Sequence, residues 1–236
     1  IAIESTGTLH VVYEAVNGSG DRHIYHTLSA DGLSWSASVE LTTALTPSTV
    51  TANRYCNLLV DPSDNVNLIW AGDDDVYHRI YNGSWGASTL VASGGGSGFA
   101  APHAVIDEIG RIYVAYVSDA AAPADISYMI YNGAVWGSYA TGGFTSGTPD
   151  VVTTASGFVS DGGGRGEAFP LPQVALVDQS VYVFWAGTGT ETYGTDQADL
   201  RYNSIAALDG NFTSGAGTAI TTGDDVAPLA FSVAVD

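Results

Sequence analysis

The chain has 236 residues, a net charge of −19 and six basic residues, all of them arginine. So acidic a chain is a poor partner for nucleic acid, because phosphates need a basic surface, and no apolar run reaches the ~18 residues of a membrane-spanning helix. Glycine contributes 29 residues and helix formers are scarce, which favours an all-β fold with many turns. We therefore expect an all-β chain with the acidic surface of a secreted or salt-adapted protein.

Four strand-like segments fill the first forty residues. Ile1–Glu4 is short, apolar and ends in an acid, and Thr8–Tyr13 ends in an aromatic residue. Ile24–Thr27 alternates and leads into Asp31-Gly32, which is typical of a tight turn between two strands. Trp35 then begins a fourth segment, where we expect it to enter the strand as an apolar anchor.

The same order of four segments recurs along the chain. The acid-ended first strand returns as Leu58–Asp61, Ala104–Asp107 and Ala175–Asp178. The aromatic-ended second strand returns as Asn65–Trp70, Arg111–Tyr116 and Ser180–Trp185. The third strand returns at Val76-Tyr77, Ile126–Tyr128 and Leu200–Tyr202, and the fourth begins at Trp85, Trp136 and Phe212.

A unit of four antiparallel strands repeated every 40 to 50 residues or so is the signature of a β-propeller blade. The sequence predicts one propeller domain, or a fragment of one, with blades at about 1–45, 57–92, 103–141 and 174–222. Ser232–Asp236 matches the first strand of a fifth unit. A closed ring would not leave this strand without its blade, so we expect either a longer parent protein or a strand that completes a sheet in another subunit. The absence of a methionine before Ile1 favours the longer parent.

The turn before Trp35 resembles a motif of a known family. Ser29-x-Asp31-Gly32-x-x-Trp35 is similar to the Asp box of the sialidase-like (BNR repeat) β-propellers, one residue shorter than the family spacing. The resemblance implies structural roles, in which the aspartate caps turn amides and the tryptophan packs between blades. The structural turn residues predicted in this way are Ser29, Asp31, Gly32, Trp35, Trp85 and Trp136.

A binding site is expected on the opposite face of the propeller. There the first strands begin and the turns between second and third strands lie, together with the long loop Thr141–Gln173. Aromatic side chains in Gly/Ser/Thr-rich loops suit carbohydrate, because rings stack on sugars and small polar groups bond hydroxyls. The candidate ligand-binding residues are Arg54, Tyr55, Asp73, His103, Arg165, Glu167 and Tyr193.

The resemblance also implies an enzymatic alternative. Sialidases hold a substrate carboxylate with three arginines and use a tyrosine nucleophile, assisted by a glutamate, with an aspartate as acid/base. Arg54 and Arg165 lie at suitable loop positions, Glu167 is close to Arg165, and Tyr193 follows Glu191. The family's opening Phe-Arg-Ile-Pro-like motif and a third matching arginine are absent, so we expect no catalytic residues, while a two-carboxylate hydrolase stays open.

Metal sites and cysteine chemistry have little support. Asp61–Asn65 and Asp73–Asp75 offer oxygen ligands suited to Ca²⁺, although neither has EF-hand spacing. The histidines show no pair on one strand face, which argues against zinc. Cys56 is the only cysteine, so no internal disulfide is possible, and its apolar neighbours predict a buried thiol. We expect no cofactor, with calcium as the alternative.

Together these features predict a non-catalytic extracellular or cell-surface module that binds a glycan or a surface protein. One alternative is a glycoside hydrolase fragment of the sialidase-like type. The other is a structural subunit of a filament or surface assembly, which would self-associate by strand addition through Ser232–Asp236.

Overall fold

The structure is a computed structural model. It describes residues 1–42, 50–93, 100–119, 125–140, 143–153, 172–187, 199–206, 208, 210–214, 217–220 and 232–233. The regular structure in these ranges is β-strand, which confirms the all-β prediction. Within the same ranges, no helix is long and apolar enough to cross a membrane. Of the predicted strand 232–236, the structure describes only residues 232 and 233, and these lie outside the strands.

The strands form four antiparallel sheets that follow one another along the chain. The first sheet has the order β1 (Ala2–Ile3), β2 (Leu9–Val16), β3 (Arg22–Ser29) and β4 (Val39–Glu40). The second has the order β5 (Asn53–Val60), β6 (Val66–Gly72), β7 (Asp75–Tyr81) and β8 (Thr89–Ser93). Both match the predicted unit of four strands in sequence order.

The third and fourth sheets repeat this order. The third contains β9 (His103–Ile106), β10 (Ile112–Asp119), β11 (Asp125–Tyr131) and β12 (Trp136–Ala140), and adds β13 (Gly143–Ser146) on β12 and β14 (Asp150–Thr153) on β11. The fourth contains β15 (Gln173–Val177), β16 (Ser180–Gly187), β17 (Asp199–Ile205) and β18 (Thr218–Ala219). The sequence placed residues 141–173 in a loop, so β13 and β14 correct that expectation.

The strand register defines two faces of the array. At the start of β5, Asn53 pairs with Gly72 at the end of β6, so the first strand begins beside the turn from second to third strand. We call this end of the sheets the upper face. The other end, where Val60 pairs with Val66 and the turn from third to fourth strand also lies, is the lower face.

The sheets pack face to face in chain order. β6 is buried along its whole length, as expected for a strand covered on both sides. Three apolar clusters fill the spaces between consecutive sheets, and Trp70, Tyr113 and Trp185 are among their largest buried side chains. Burying each such side chain contributes roughly 1.5–3 kcal/mol, so these clusters stabilise the packing of one sheet on the next.

A chain of hydrogen bonds on the lower face joins the first sheet to the second. Trp85 Nε1 lies 3.2 Å from His26 Nδ1, His26 Nε2 lies 3.0 Å from His10 Nδ1, and His10 Nε2 lies 3.0 Å from Glu4 Oε1. An indole N–H can only donate, so His26 accepts at Nδ1 and carries its proton on Nε2. His10 in turn accepts at Nδ1 and donates to Glu4. Each of the four imidazole nitrogens therefore makes one of these bonds.

The second sheet meets the third in the same way. Trp136 Nε1 donates to His78 Nδ1 at 3.3 Å, and His78 Nε2 donates to Asn67 Oδ1 at 2.9 Å. The Trp136 ring stands edge-on to His78, at 83°, just as Trp85 stands at 84° to His26. Burial lowers the pKa of His78 to about 4, and burial followed by the nearby His10 lowers that of His26 to about 4.

The third sheet meets the fourth through aromatic rings. Phe212 stands edge-on to Tyr128 at 78°, Tyr128 stacks on Tyr113, and the Tyr113 hydroxyl donates to Asp107 Oδ2 at 2.9 Å. In all three cases a ring that follows the third strand of one sheet therefore stands edge-on to a ring on the third strand of the preceding sheet. We call these contacts the first, second and third seams.

Candidate functional site

The upper face holds the described members of the predicted binding set. Arg54 and Tyr55 lie at the start of β5, and His103 is the first residue of β9. Asp73 lies in the turn between β6 and β7. The fold thus brings these four residues to one end of the second and third sheets. Arg165, Glu167 and Tyr193 lie outside the described residues, and their predicted roles stay predictions.

Tyr55 has an unusual backbone. Its φ is +56°, in the left-handed region that bulky residues rarely adopt, and the register of β5 shifts between Arg54 and Asn57. The Tyr55 N–H donates to Glu14 Oε1 at 2.7 Å, and its carbonyl accepts from Asn57 Nδ2 at 3.0 Å. Such a conformation costs on the order of 1–3 kcal/mol and persists only where its surroundings hold it.

The Tyr55 side chain lies between two parts of the core. It is half-buried and packs against both the apolar cluster between the second and third sheets and the cluster between the third and fourth. The bulge therefore fixes an aromatic ring at the mouth of the space between sheets. An aromatic ring held in this manner and still partly exposed can stack on a sugar ring.

Asp73 fastens the β6–β7 turn to the segment that enters β5. Its carboxylate accepts the Ala52 N–H at 2.9 Å and the Thr51 N–H at 3.3 Å, and its own N–H donates to the Ala52 carbonyl at 2.8 Å. Its φ is +49°, also left-handed. Because two main-chain amides occupy the Asp73 carboxylate, the side chain shapes the loop that borders the upper face.

Asn53, the first residue of β5, makes further hydrogen bonds next to this turn. The side chain is fully buried, donates to the Arg22 carbonyl at 3.0 Å and accepts the Trp70 indole N–H at 3.0 Å. It links the first sheet to the core of the second sheet. Sequence reasoning missed Asn53 and Glu14, because their partners lie 31 and 41 residues away and no local pattern marks them.

His103 joins the third sheet to the fourth at the upper face. Its Nδ1 accepts the N–H of Val174 on β15 at 3.1 Å. Burial lowers the pKa of His103 to about 4. The imidazole is therefore neutral at pH 7, with its proton on Nε2, and can act as a hydrogen-bond donor through that nitrogen.

The predicted turn motif lies on the lower face. Asp31 Oδ1 accepts the N–H groups of Leu33 and Ser34 at 2.8 and 2.7 Å, and Ser29 Oγ accepts the N–H of Gly32, whose φ is +72°. These bonds lower the pKa of Asp31. They also keep the chain in a turn beyond Ser34, so the fourth strand begins only at Val39.

Trp35 departs from the expectation for the turn motif. It precedes the fourth strand instead of entering it, and its side chain is 45% exposed. Trp85 and Phe212 also precede their fourth strands, β8 and β18, whereas Trp136 begins β12 as expected. Unlike Trp35, Trp85 and Trp136 contact the preceding sheet, through the first and second seams. Trp35 makes no such contact because no described sheet precedes the first one.

The two acidic stretches considered for calcium are used in turns. Asp61 Oδ1 accepts the N–H groups of Ser63 and Asn65 at 2.8 and 2.9 Å, and the Asp64 carboxylate accepts the Ser5 N–H at 2.8 Å. Among the described residues, no group of three or more His, Cys, Asp and Glu side chains could hold a metal ion. Burial raises the pKa of the Cys56 thiol to about 11, which keeps it protonated at neutral pH.

A shallow cleft of about 440 Å³ lies between the outer parts of the second and third sheets. Leu90, Val135 and Trp136 form its apolar walls. Arg79, also in the wall, donates to the carbonyls of Gly86 and Leu41. These bonds give the guanidinium a role in joining strands, and the cleft carries less chemistry than the upper face.

Comparisons with known proteins show what the fold resembles. No protein-family model matches the sequence, and no curated protein matches it. Among solved structures, the chain is similar to a protein of unknown function from Dyadobacter fermentans DSM 18053. That likeness has a TM-score of 0.59 at 12% identity and covers 90% of this chain and 66% of the other.

Two similar structures are described as carbohydrate-active enzymes. A thermostable family-43 glycoside hydrolase matches with a TM-score of 0.53 at 14% identity, over 94% of this chain and 75% of that one. An ulvan lyase, a polysaccharide lyase, matches with a TM-score of 0.61 at 11% identity, over 95% of this chain and 58% of that one. At these identities the likeness shows the fold alone. The four antiparallel sheets thus have a β-propeller-like arrangement shared with glycan-processing proteins.

Proposed function

We propose that the chain is a non-catalytic, extracellular β-propeller module of the sialidase-like class, which binds a glycan on its upper face. The observation that carries the proposal is Tyr55, an aromatic residue held in a left-handed bulge at the start of β5 by a bond to Glu14 of the neighbouring sheet. Backbone strain of this kind concentrates at binding sites, where it fixes a side chain in advance.

The neighbouring groups suit a neutral sugar. Arg54 lies beside Tyr55 at the start of β5, and the neutral His103 has an N–H on Nε2. Tyr55 thus provides a ring for stacking, and His103 provides a donor for a hydroxyl group. A net charge of −19 repels anionic polysaccharides at long range, so a neutral glycan is the favoured ligand class.

Two carboxylates near Tyr55 support binding over hydrolysis. Asp73 accepts main-chain N–H groups of Thr51 and Ala52, and Glu14 accepts that of Tyr55. A glycosidase needs two carboxyl groups that face the scissile bond, one of them able to give up a proton. Both of these acids are instead engaged in holding the backbone of the upper face.

Titration of the chain with neutral oligosaccharides from an array tests the proposal. Tyr55→Leu keeps apolar bulk but removes the aromatic face, so we expect the affinity for the best ligand to fall at least about tenfold, equivalent to ~1.4 kcal/mol. Tyr139→Leu, on the outer strand β12, serves as the matched control and should bind like the parent chain. Turnover of an aryl glycoside that disappears in Asp73→Asn would instead establish the hydrolase alternative.

A further inference from the structure

The sequence contains three Asn-Gly pairs, and each lies in the connection between two strands. They are Asn17-Gly18 between β2 and β3, Asn82-Gly83 between β7 and β8, and Asn132-Gly133 between β11 and β12. Asparagine is chemically labile, and a following glycine lets the next main-chain nitrogen approach the side chain, because glycine has no side chain of its own and great backbone freedom. The sequence therefore contains three candidate sites for one spontaneous reaction, and the structure distinguishes them.

The Asn17 side chain is held by three hydrogen bonds. Its Oδ1 accepts the N–H groups of Ser19 and Asp21 at 2.9 and 3.0 Å. Its Nδ2 donates to His23 Nε2 at 2.9 Å. Because these bonds use both ends of the amide, the Asn17 side chain is fixed in the turn that it stabilises.

The Asn132 side chain is held in a similar way. Its Oδ1 accepts the N–H groups of Ala134 and Val135 at 3.1 and 3.0 Å. The turn that follows β11 has four residues between Tyr131 and Trp136, and its last two residues supply these donors. The carbonyl of Asn132 therefore has a structural role, as that of Asn17 does.

The Asn82 side chain has no such role. Its turn has only three residues between Tyr81 and Trp85, one fewer than the turn of the third sheet. The Asn82 side chain is exposed and makes no hydrogen bond to any residue that the structure describes. A Cβ atom built on Gly83 would meet nothing within 4 Å, so the space beside the Gly83 nitrogen is open. Asn82 is thus free to turn its carbonyl carbon towards that nitrogen.

We propose that Asn82 is a site of spontaneous covalent modification, which converts its amide to aspartate and isoaspartate through a cyclic imide. The Gly83 nitrogen loses its proton and forms a bond to Asn82 Cγ, while the bond from Cγ to Nδ2 breaks and the side-chain nitrogen leaves as ammonia. Water then opens the ring. Attack at Cγ gives aspartate, and attack at the main-chain carbonyl carbon gives isoaspartate. The inference is independent of glycan binding.

The two products differ in their effect on the first seam. Trp85 lies in the same turn, forms a bridge with Tyr81 and donates its indole N–H to His26. Isoaspartate adds one carbon to the main chain of this short turn, so it changes the path that leads to Trp85. Aspartate adds only a negative charge at an exposed position. We therefore expect the isoaspartate form to be less stable than the aspartate form.

Peptide mapping by mass spectrometry tests the proposal on the folded chain, sampled over several weeks in mildly alkaline buffer. Conversion at Asn82 should be at least about fivefold faster than at Asn17 or Asn132, since at those two sites hydrogen bonds must break before the ring can close. In guanidinium chloride the three asparagines should convert at similar rates. Asn17 is the matched control, because Gly-Ser follows both Asn17 and Asn82. Equal rates at the three sites in the folded chain would overturn the proposal.

Two variants complete the test. Asn82→Gln closes the ring much more slowly, so the fast mass change should disappear while the chain stays folded; a mass change that persists at its original rate places the reaction elsewhere and overturns the proposal. Asn82→Asp carries the new charge without the extra carbon. In urea denaturation the aged parent chain should unfold at a lower urea concentration than Asn82→Asp, and equal midpoints would overturn the effect on the first seam.

Discussion

The two faces of the sheet array are held by different physical means. On the lower face, polar side chains are matched donor to acceptor, as in the chain from Trp85 through His26 and His10 to Glu4. On the upper face, Tyr55 and Asp73 sit in left-handed backbone that hydrogen bonds from neighbouring segments hold in place. Polar side chains whose hydrogen bonds are all satisfied are typical of a structural scaffold. Strained backbone that neighbouring segments hold in place is typical of a binding surface.

The lower face also varies its chemistry while keeping its geometry. The first and second seams place a tryptophan edge on a histidine, and the third places Phe212 on Tyr128 at nearly the same angle. The repeat therefore keeps a ring at each of these positions, whereas the hydrogen bond between the two rings is present only in the first two seams. As a consequence, the first two seams each contain a histidine whose protonation would break the bond that it accepts from the tryptophan.

The largest effect is expected from breaking the second seam. Trp136 is 5% exposed and donates to His78, so Trp136→Ala should lower the free energy of unfolding by about 3–5 kcal/mol. Urea denaturation followed by circular dichroism measures it. Val135→Ala changes the adjacent residue, which is 44% exposed, and should cost less than about 0.5 kcal/mol. Equal losses in the two variants would contradict the role of the seam.

A second effect should follow from the protonation of His78. Its pKa is about 4 in the folded chain and 6.5 when unfolded, so the unfolded chain binds more protons between these values. The stabilisation is complete above pH 6.5 and is lost as the pH falls towards 4, by about 2 kcal/mol between pH 7 and pH 5. His78→Gln keeps a donor and an acceptor but cannot titrate. Between pH 7 and pH 5, the free energy of unfolding of this variant should therefore fall by about 2 kcal/mol less than that of the parent chain. An unchanged pH dependence would show that His78 titrates normally.

The smallest expected effect on stability comes from removing one of the two tyrosine hydroxyls of the third seam. The Tyr113 hydroxyl donates to Asp107, so Tyr113→Phe should cost about 1 kcal/mol. The Tyr128 hydroxyl is buried without a hydrogen-bond partner in the described structure, and Tyr128→Phe should leave stability unchanged or raise it slightly. Thermal unfolding of the two variants makes the comparison. A loss in Tyr128→Phe as large as in Tyr113→Phe would mean that this hydroxyl is satisfied.

Much of the fold could be read from local patterns. The alternation in Thr8–Tyr13 and its echoes reports the side-chain period of a strand, and the acids at Asp61 and Asp107 mark where first strands end. The fourth strand was harder to place, because Asp31 holds two further amides and delays it to Val39. Such delays depend on side-chain bonds that no periodicity encodes.

The candidate site could be predicted only in part. The topology brings Arg54, Tyr55 and His103 to one face, as the position of the loops implied. The left-handed bulge at Tyr55 could not be foreseen, since it depends on Glu14, 41 residues earlier. Long-range bonds of this kind follow from sheet packing, and the sequence alone carries no local trace of them.

The central claim is that the upper face binds the ligand and the lower face stabilises the fold, and one paired measurement tests it most directly. Tyr55→Leu and Tyr113→Leu make the same substitution on the upper and the lower face, and both variants are compared with the parent chain in glycan titration and urea denaturation. We expect Tyr55→Leu to lose at least about tenfold in affinity and to lose less stability than Tyr113→Leu, which should bind the glycan normally while folded. Normal binding by Tyr55→Leu together with weakened binding by Tyr113→Leu would contradict a binding surface on the upper face.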